Sequence, residues 1–272
     1  MVAVEQLDLF SVSSGPAERD VPGCTPEPAV TCHILDDDSL LAAIPNACIR
    51  ESVALVTEAG RRRLAAAIPV LEALCRRFAG FGAGRIVPEQ AAALNALVMI
   101  GGSDAAQTLV RLIAKRIVQG PCLQQAVAVA ARMGAKLPFD TVVELLRHDN
   151  PQVRADASRC TRAWPEAVPL LRDLLDDLHA EVRRAAACAL GRMGRAEVRA
   201  LLVGYLREEP SVELVDAIAP IADDECVILL GRVARTQPHL SEAALDALLS
   251  IGHPRAEQIA AAVGGYRPGQ TG

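Results

Sequence analysis

From about residue 90 to the end, apolar positions recur in a fixed order along this chain. A run of small residues closes on one larger apolar residue, a polar turn follows, and a segment rich in Leu and Val comes next. The closing residues are Ile100, Met133, Trp164, Met193, Ile221 and Ile251, so neighbours stand 33, 31, 29, 28 and 30 residues apart. Periods of this size mark a solenoid, a stack of similar units in which each buries its apolar face on the next. Within a unit the spacing is that of helix, turn, helix. First helices are predicted over 89–100, 121–133, 151–164, 181–193, 210–221 and 238–251, with a closing helix over 255–263. Second helices carry the paired large residues, such as Leu109-Val110 with Leu112-Ile113 and Val142-Val143 with Leu145-Leu146. Proline opens four of the first helices, where its missing N–H would have no partner anyway. Glycine follows at Gly101, Gly134, Gly194 and Gly252, where the chain must turn back.

Upstream of the repeats the punctuation differs. Gly15-Pro16, Pro22-Gly23, Pro26 and Pro28 predict a disordered tail over 1–38. Asp36-Asp37-Asp38-Ser39 predicts a helix start, with carboxylates at the positive end of the helix dipole. Two long helices are predicted over 46–62 and 65–78, forming an atypical end unit of the kind that faces water on one side. Residues 80–84, Gly-Phe-Gly-Ala-Gly, follow no strand and lack a trailing Lys-Ser/Thr, so they read as a turn and not as a phosphate cradle. The expected organisation is therefore a tail over 1–38, a helical capping unit over 39–86 and a solenoid over 87–266.

Composition sharpens this. Of 272 residues, 51 % are hydrophobic but only 3 % aromatic, so the apolar content is Ala, Leu and Val, which favours helix over strand. A net charge of −5 does not suit a protein built to coat a phosphate backbone. The eight cysteines include no CxxC spacing and no neighbouring His pair, and they read as buried reduced thiols; no metal and no cofactor are expected. Neither a signal peptide nor a run of about 18 apolar residues is present, so a cytoplasmic location without membrane contact is expected.

Two stretches resemble HEAT repeats of the short bacterial type found in tetrapyrrole-lyase-like proteins. They are Asp149-Asn-Pro-Gln-Val-Arg154, and His179-Ala-Glu-Val-Arg183 with the following Ala185-Ala-Ala-Cys-Ala-Leu-Gly-Arg-Met-Gly194. The resemblance covers 89–264 and, more loosely, 40–80. It implies an all-α fold, an α-α superhelix (HEAT-repeat solenoid) behind the disordered tail. It also implies that Asp149, Arg154, Asp177 and Arg183 form a structural ladder between neighbouring units. The pattern fades toward the end of the chain, where Val212 is followed by Glu213 and Leu240 by Ser241.

The peptide Gln6-Leu7-Asp8-Leu9-Phe10 resembles the segment by which bacterial replication and repair proteins dock on the DNA-polymerase sliding clamp. In that family the glutamine bonds at the rim of a groove and the apolar residues fill adjoining pockets. All five positions match. Exposed Leu and Phe in a tail without a core are stabilised when a partner buries them.

No Gly-x-Ser-x-Gly, P-loop or His-Glu metal pair occurs, and no catalytic residue is assigned. Second helices carry Arg111, Lys115, Arg116, Arg147, Arg172, Arg199, Arg232 and Arg235. On the expectation that second helices line the concave surface, these form a basic stripe suited to an acidic partner or to phosphate. Trp164, the sole tryptophan, is a stacking candidate with core filling as its alternative. The favoured reading is a non-catalytic interaction scaffold that binds a protein partner on its concave surface, with a tether to the clamp. The alternatives are a HEAT-type enzyme, either an alkylpurine DNA glycosylase or a bilin-lyase-like protein, and an interaction module unrelated to DNA.

Overall fold

The computed structural model describes residues 33–264. These form α1 (Asp37–Ala43), α2 (Ile49–Arg61), α3 (Ile68–Arg77), α4 (Pro88–Ile100), α5 (Gly102–Ala114), α6 (Gly120–Arg132), α7 (Phe139–Leu146), α8 (Pro151–Arg159), α9 (Val168–Asp173), α10 (Ala180–Arg192), α11 (Arg199–Glu208), α12 (Val212–Ile218), α13 (Asp224–Thr236), α14 (Ser241–Ser250) and α15 (Pro254–Gly264). No strand occurs among the described residues. The Asp36 carboxylate caps α1 by accepting from the Ser39 N–H at 2.9 Å, so Asp37 and Asp38 belong to a helix and not to the tail.

Several predicted helices are shorter than the apolar pattern implied. The segment 151–164 leaves α-geometry at Arg159 and tightens into a 3₁₀ turn over Cys160–Ala163. Two hydroxyls explain the change: Ser158 donates to the Arg154 carbonyl and Thr161 to the Ser158 carbonyl. Pro165 then keeps Trp164 out of the helical region, at φ −129° and ψ 84°. Pro220 likewise limits α12, which ends at Ile218 and gives way to a 3₁₀ turn over Ala219–Ile221.

The helices stack in two rows. The first helices α2, α4, α6, α8, α10, α12 and α14 each pack on the next. Their touching faces are rich in alanine: Ala93 and Ala96, Ala126 and Ala130, Ala155 and Ala157, and Ala185 to Ala187 are all buried. Glycine allows the closest approaches. A Cβ on Gly60 would lie 2.8 Å from Ala96 Cα, and one on Gly191 would lie 2.4 Å from the Ala217 carbonyl oxygen. The second helices carry bulkier Leu and Val. Through the middle of the stack, from α5 to α13, they meet their counterparts only sparsely.

Closely spaced helices belong on the inside of a curve, and splayed ones on the outside. The first helices therefore form the inner surface. This corrects the expectation that the second helices line the concave side; alanine in one row and leucine in the other decides the direction of bending. One continuous apolar core runs between the rows from Leu40 to Val263.

Polar links tie unit to unit. Arg154 donates from Nε and Nη2 to both Asp177 oxygens, at 2.8 and 3.0 Å, and from Nη1 to the His148 carbonyl. One unit earlier, Asn150 donates to Gln124 at 3.1 Å. One unit later the step passes to Arg184, which reaches Glu209 at 2.7 Å, while Arg183 turns back onto the Asp177 carbonyl. The exposed Asp149 side chain takes no part among the described residues; only its carbonyl accepts, from Arg154.

Candidate functional site

On the inner surface, α6, α8, α10 and α12 enclose a groove of about 870 Å³. Its floor is small and apolar, with Ala128, Ala131, Ala135 and Ala163, and Val212 stands at one side. Arg132, Arg162 and Arg192 line it, one from each of three successive units. Their positions are thirty residues apart in sequence, each close to the end of a first helix. A cation there is favoured by the negative end of the helix dipole. Arg132 and Arg162 are exposed and have no polar partner among the described residues.

Between these arginines lies an ion network. Arg159 on α8 donates to Asp156 at 2.7 Å and makes a two-pronged contact with Glu213 on α12, at 3.0 and 3.2 Å. Arg192 on α10 approaches the same carboxylate at 3.6 Å. Asp156 also accepts from Gln152 at 3.2 Å. Burial pushes the Arg159 pKa down, but Glu213 and Asp156 outweigh it and hold the guanidinium charged. The Cys160 thiol, also at the groove, is pushed up to about 12 by burial, so it is no nucleophile near neutral pH. No histidine lines the groove. The lining offers charge recognition and shape, without a nucleophile held against a base.

The sequence-derived candidates sit elsewhere. Arg111 pairs with Glu72 at 2.7 Å, Arg116 with Glu144 at 2.7 Å and Arg172 with Glu197 at 2.6 Å. Arg199 donates to the Ile221 carbonyl at 2.7 Å and to Asp223 at 3.1 Å. Arg235 contacts the Gly231 carbonyl at 3.4 Å. Lys115, Arg147 and Arg232 have no ion-pair partner among the described residues. All eight lie on or at the ends of the outer helices, interleaved with acids, and the structure does not gather them into one groove.

Trp164 is half-buried against the core beside the groove. Its indole N–H donates to the Leu137 carbonyl at 2.8 Å. Phe139 packs against it at 5.7 Å between ring centroids, and the Lys136 ammonium covers a ring face at 4.8 Å. Gln6, Leu7, Asp8, Leu9 and Phe10 lie outside the described residues. The residues that sequence reasoning did not assign are Arg132, Arg162 and Arg192. Their thirty-residue recurrence was a visible signal, which became meaningful once the first helices were known to face inward.

Among the described residues, no three His, Cys, Asp or Glu side chains gather as a metal-binding group. None of their helices is long and apolar enough to cross a membrane. A family model described as HEAT repeats matches residues 139–219. No curated protein matches the chain by sequence. Among solved structures, the chain is similar to one in the complex of CpcE and CpcF of phycocyanin lyase from Nostoc sp. PCC7120. That match has 16 % identity and a TM-score of 0.62, and it covers 96 % of this chain and 99 % of that one. The likeness is one of fold. HEAT repeats are thus matched over 139–219, and the same helix pairs continue on both sides of that stretch.

Proposed function

We propose that the chain is a non-catalytic scaffold that holds a protein partner in the groove between α6 and α12. The observation that carries this reading is the charged, alanine-floored groove on the inner face of a repeat stack. Such stacks present extended concave surfaces to partners. The similarity to a protein solved as a complex of two different chains supports a protein partner. The test is a photo-crosslinking amino acid placed in cells at Ala131 or Val212 in the groove, and at Leu201 on the outer row. One discrete adduct from the groove positions, absent from Leu201, is the expected result; adducts from Leu201 alone would overturn the reading.

A tether to the sliding clamp is the second part of the proposal, and its support is the sequence match at Gln6, Leu7, Asp8, Leu9 and Phe10. Short flexible peptides that order on binding reach affinities of roughly micromolar order. Titration of a peptide spanning residues 1–14 against purified clamp tests it, with Leu9→Ala/Phe10→Ala as control. Equal weak signals from the two peptides would end the idea.

One observation favours an enzyme reading, the fold likeness to a phycocyanin lyase protein. A shift in the visible absorption of an open-chain bilin on adding the purified chain would favour a bilin-lyase-like activity over a scaffold. The glycosylase alternative draws no comparable support, since the Trp164 face that would stack on a base carries Lys136.

A further inference from the structure

Three cations face the groove at a regular interval. Arg132, Arg162 and Arg192 occupy matching places on α6, on the turn closing α8, and on α10. Neighbouring helices packed through small residues have axes about 8–10 Å apart. The rungs of this ladder should therefore repeat at about that distance. A peptide extended as a polyproline II helix advances about 3.1 Å per residue with three residues per turn, so every third side chain recurs on the same side at about 9 Å. The two spacings agree.

The acids in the groove narrow the choice of occupant. Asp156, Glu213 and Asp216 stand among the arginines, and Asp216 is exposed. A nucleic-acid strand carries a charge about every 3.4 Å along a duplex axis and would set phosphates against these carboxylates as well as against the arginines. A peptide can place its charges only opposite the cations and leave small neutral residues over the carboxylates and the alanine floor. Lys136 adds a further cation at the edge. Arg159 is already held by Asp156 and Glu213, so the free recognition capacity rests on Arg132 and Arg162, with Arg192 partly engaged by Glu213. Guanidinium groups suit carboxylates because they can form two parallel hydrogen bonds.

We infer that the groove receives an extended acidic segment of a protein partner, with a carboxylate at about every third residue, laid across α6, α8 and α10 against Arg132, Arg162 and Arg192. This rests on the scaffold reading and adds the chemistry of the partner.

The test uses the full chain and a fluorescein-labelled probe, four repeats of Glu-Ala-Ser, read by fluorescence anisotropy at low and at moderate salt. Parallel probes are the same peptide with Gln for Glu and a single-stranded DNA of twelve nucleotides. Arg132→Glu/Arg162→Glu is the loss variant; both residues are exposed and unpaired among the described residues, so the fold should persist, as circular dichroism will show. Asp216→Lys is the gain variant. We expect saturable binding of the acidic peptide, weakened at least tenfold by the loss variant and by the Gln probe, and tightened about threefold by Asp216→Lys. Equal binding of the Gln probe, indifference to both variants, or tighter binding of the DNA would overturn the inference. Crosslinking of a partner at Val212 with no acidic-peptide binding would overturn the inference and leave the scaffold intact; failure of both would overturn both.

Discussion

Arg159 and Glu213 are 54 residues apart in sequence, yet they form a two-pronged ion pair at 3.0 and 3.2 Å. Arg159 ends the first helix of one unit and Glu213 opens the first helix two units later. A side chain can reach past an intervening unit only on the inner side of a bend. The pair is thus both a consequence of the curvature and a clasp that opposes its relaxation. Arg192, from the unit in between, sits 3.6 Å from the same carboxylate.

Glu213→Gln should loosen this clasp. Both partners are about a quarter exposed, 27 and 28 %, so solvent screening keeps the cost to about 1 kcal/mol. Urea unfolding should report that loss, and small-angle scattering should show a larger radius of gyration. An unchanged radius would mean that alanine packing alone sets the bend.

Two glycine substitutions should move stability in opposite directions. Gly191→Ala places a methyl 2.4 Å from the Ala217 carbonyl oxygen and 2.6 Å from Leu202 Cδ1. Overpacking of this kind costs about 1–3 kcal/mol, against a helix-propensity gain of up to about 1 kcal/mol, so a net loss is expected. Gly204→Ala, inside α11, meets nothing within 4 Å and should gain about 0.5–1 kcal/mol. Thermal melts of the two variants check both signs. A stabilised Gly191→Ala protein would contradict the close approach of α10 to α12.

Trp164 should behave as a structural residue. Trp164→Phe leaves the Leu137 carbonyl without its donor and removes ring area from the core, for a loss of about 1–3 kcal/mol. As the sole tryptophan it also gives a clean fluorescence signal. Adding single-stranded DNA should leave its emission unchanged. Quenching that saturates with DNA would restore the stacking role.

Acid should weaken the N-terminal unit and the Arg154 link. Arg111 and Arg76 hold the Glu72 carboxyl down to about 2, against a smaller upward push from burial. Hydrogen bonds from Arg61 and Arg62 hold Glu58 well below the usual carboxylate range. At Asp177 burial pushes upward, but the His179 N–H and the Arg154 guanidinium outweigh it, so its pKa is also lowered. A carboxyl depressed on folding contributes its full stabilisation above its unfolded value, about 4, and loses it as pH falls toward the folded value. Unfolding midpoints should therefore stay level with respect to these groups above about pH 5 and drop between about pH 4 and 2. Glu72→Gln should flatten part of that drop.

The helix pairs, their period and their turns were legible in the sequence because each is a local property. Apolar spacing, prolines at helix starts and glycines after helix ends act within a few residues. Gly134 and Gly194 indeed adopt positive φ where the chain turns back. Helix ends were less legible: Ser158 and Thr161 bond back to their own backbone and convert the end of a predicted helix into a 3₁₀ turn. The ladder was half legible, since Arg154 reaches Asp177 as expected but Arg184, not Arg183, makes the next step.

The sequence by itself determined a stack of helical hairpins, because an amphipathic pair repeated every thirty residues or so can hide its apolar flanks only against its neighbours. Which row of helices faces inward was decided by the tertiary structure alone. That depends on how closely each row can pack along the whole stack, through Gly60 on Ala96 and Gly191 on Ala217, against bulkier leucines on the other side. Curvature is a sum of many small differences in helix spacing, and no single unit contains it. It places Arg132, Arg162 and Arg192 around one groove and leaves the arginines of the second helices on the outer face, paired with acids or standing alone.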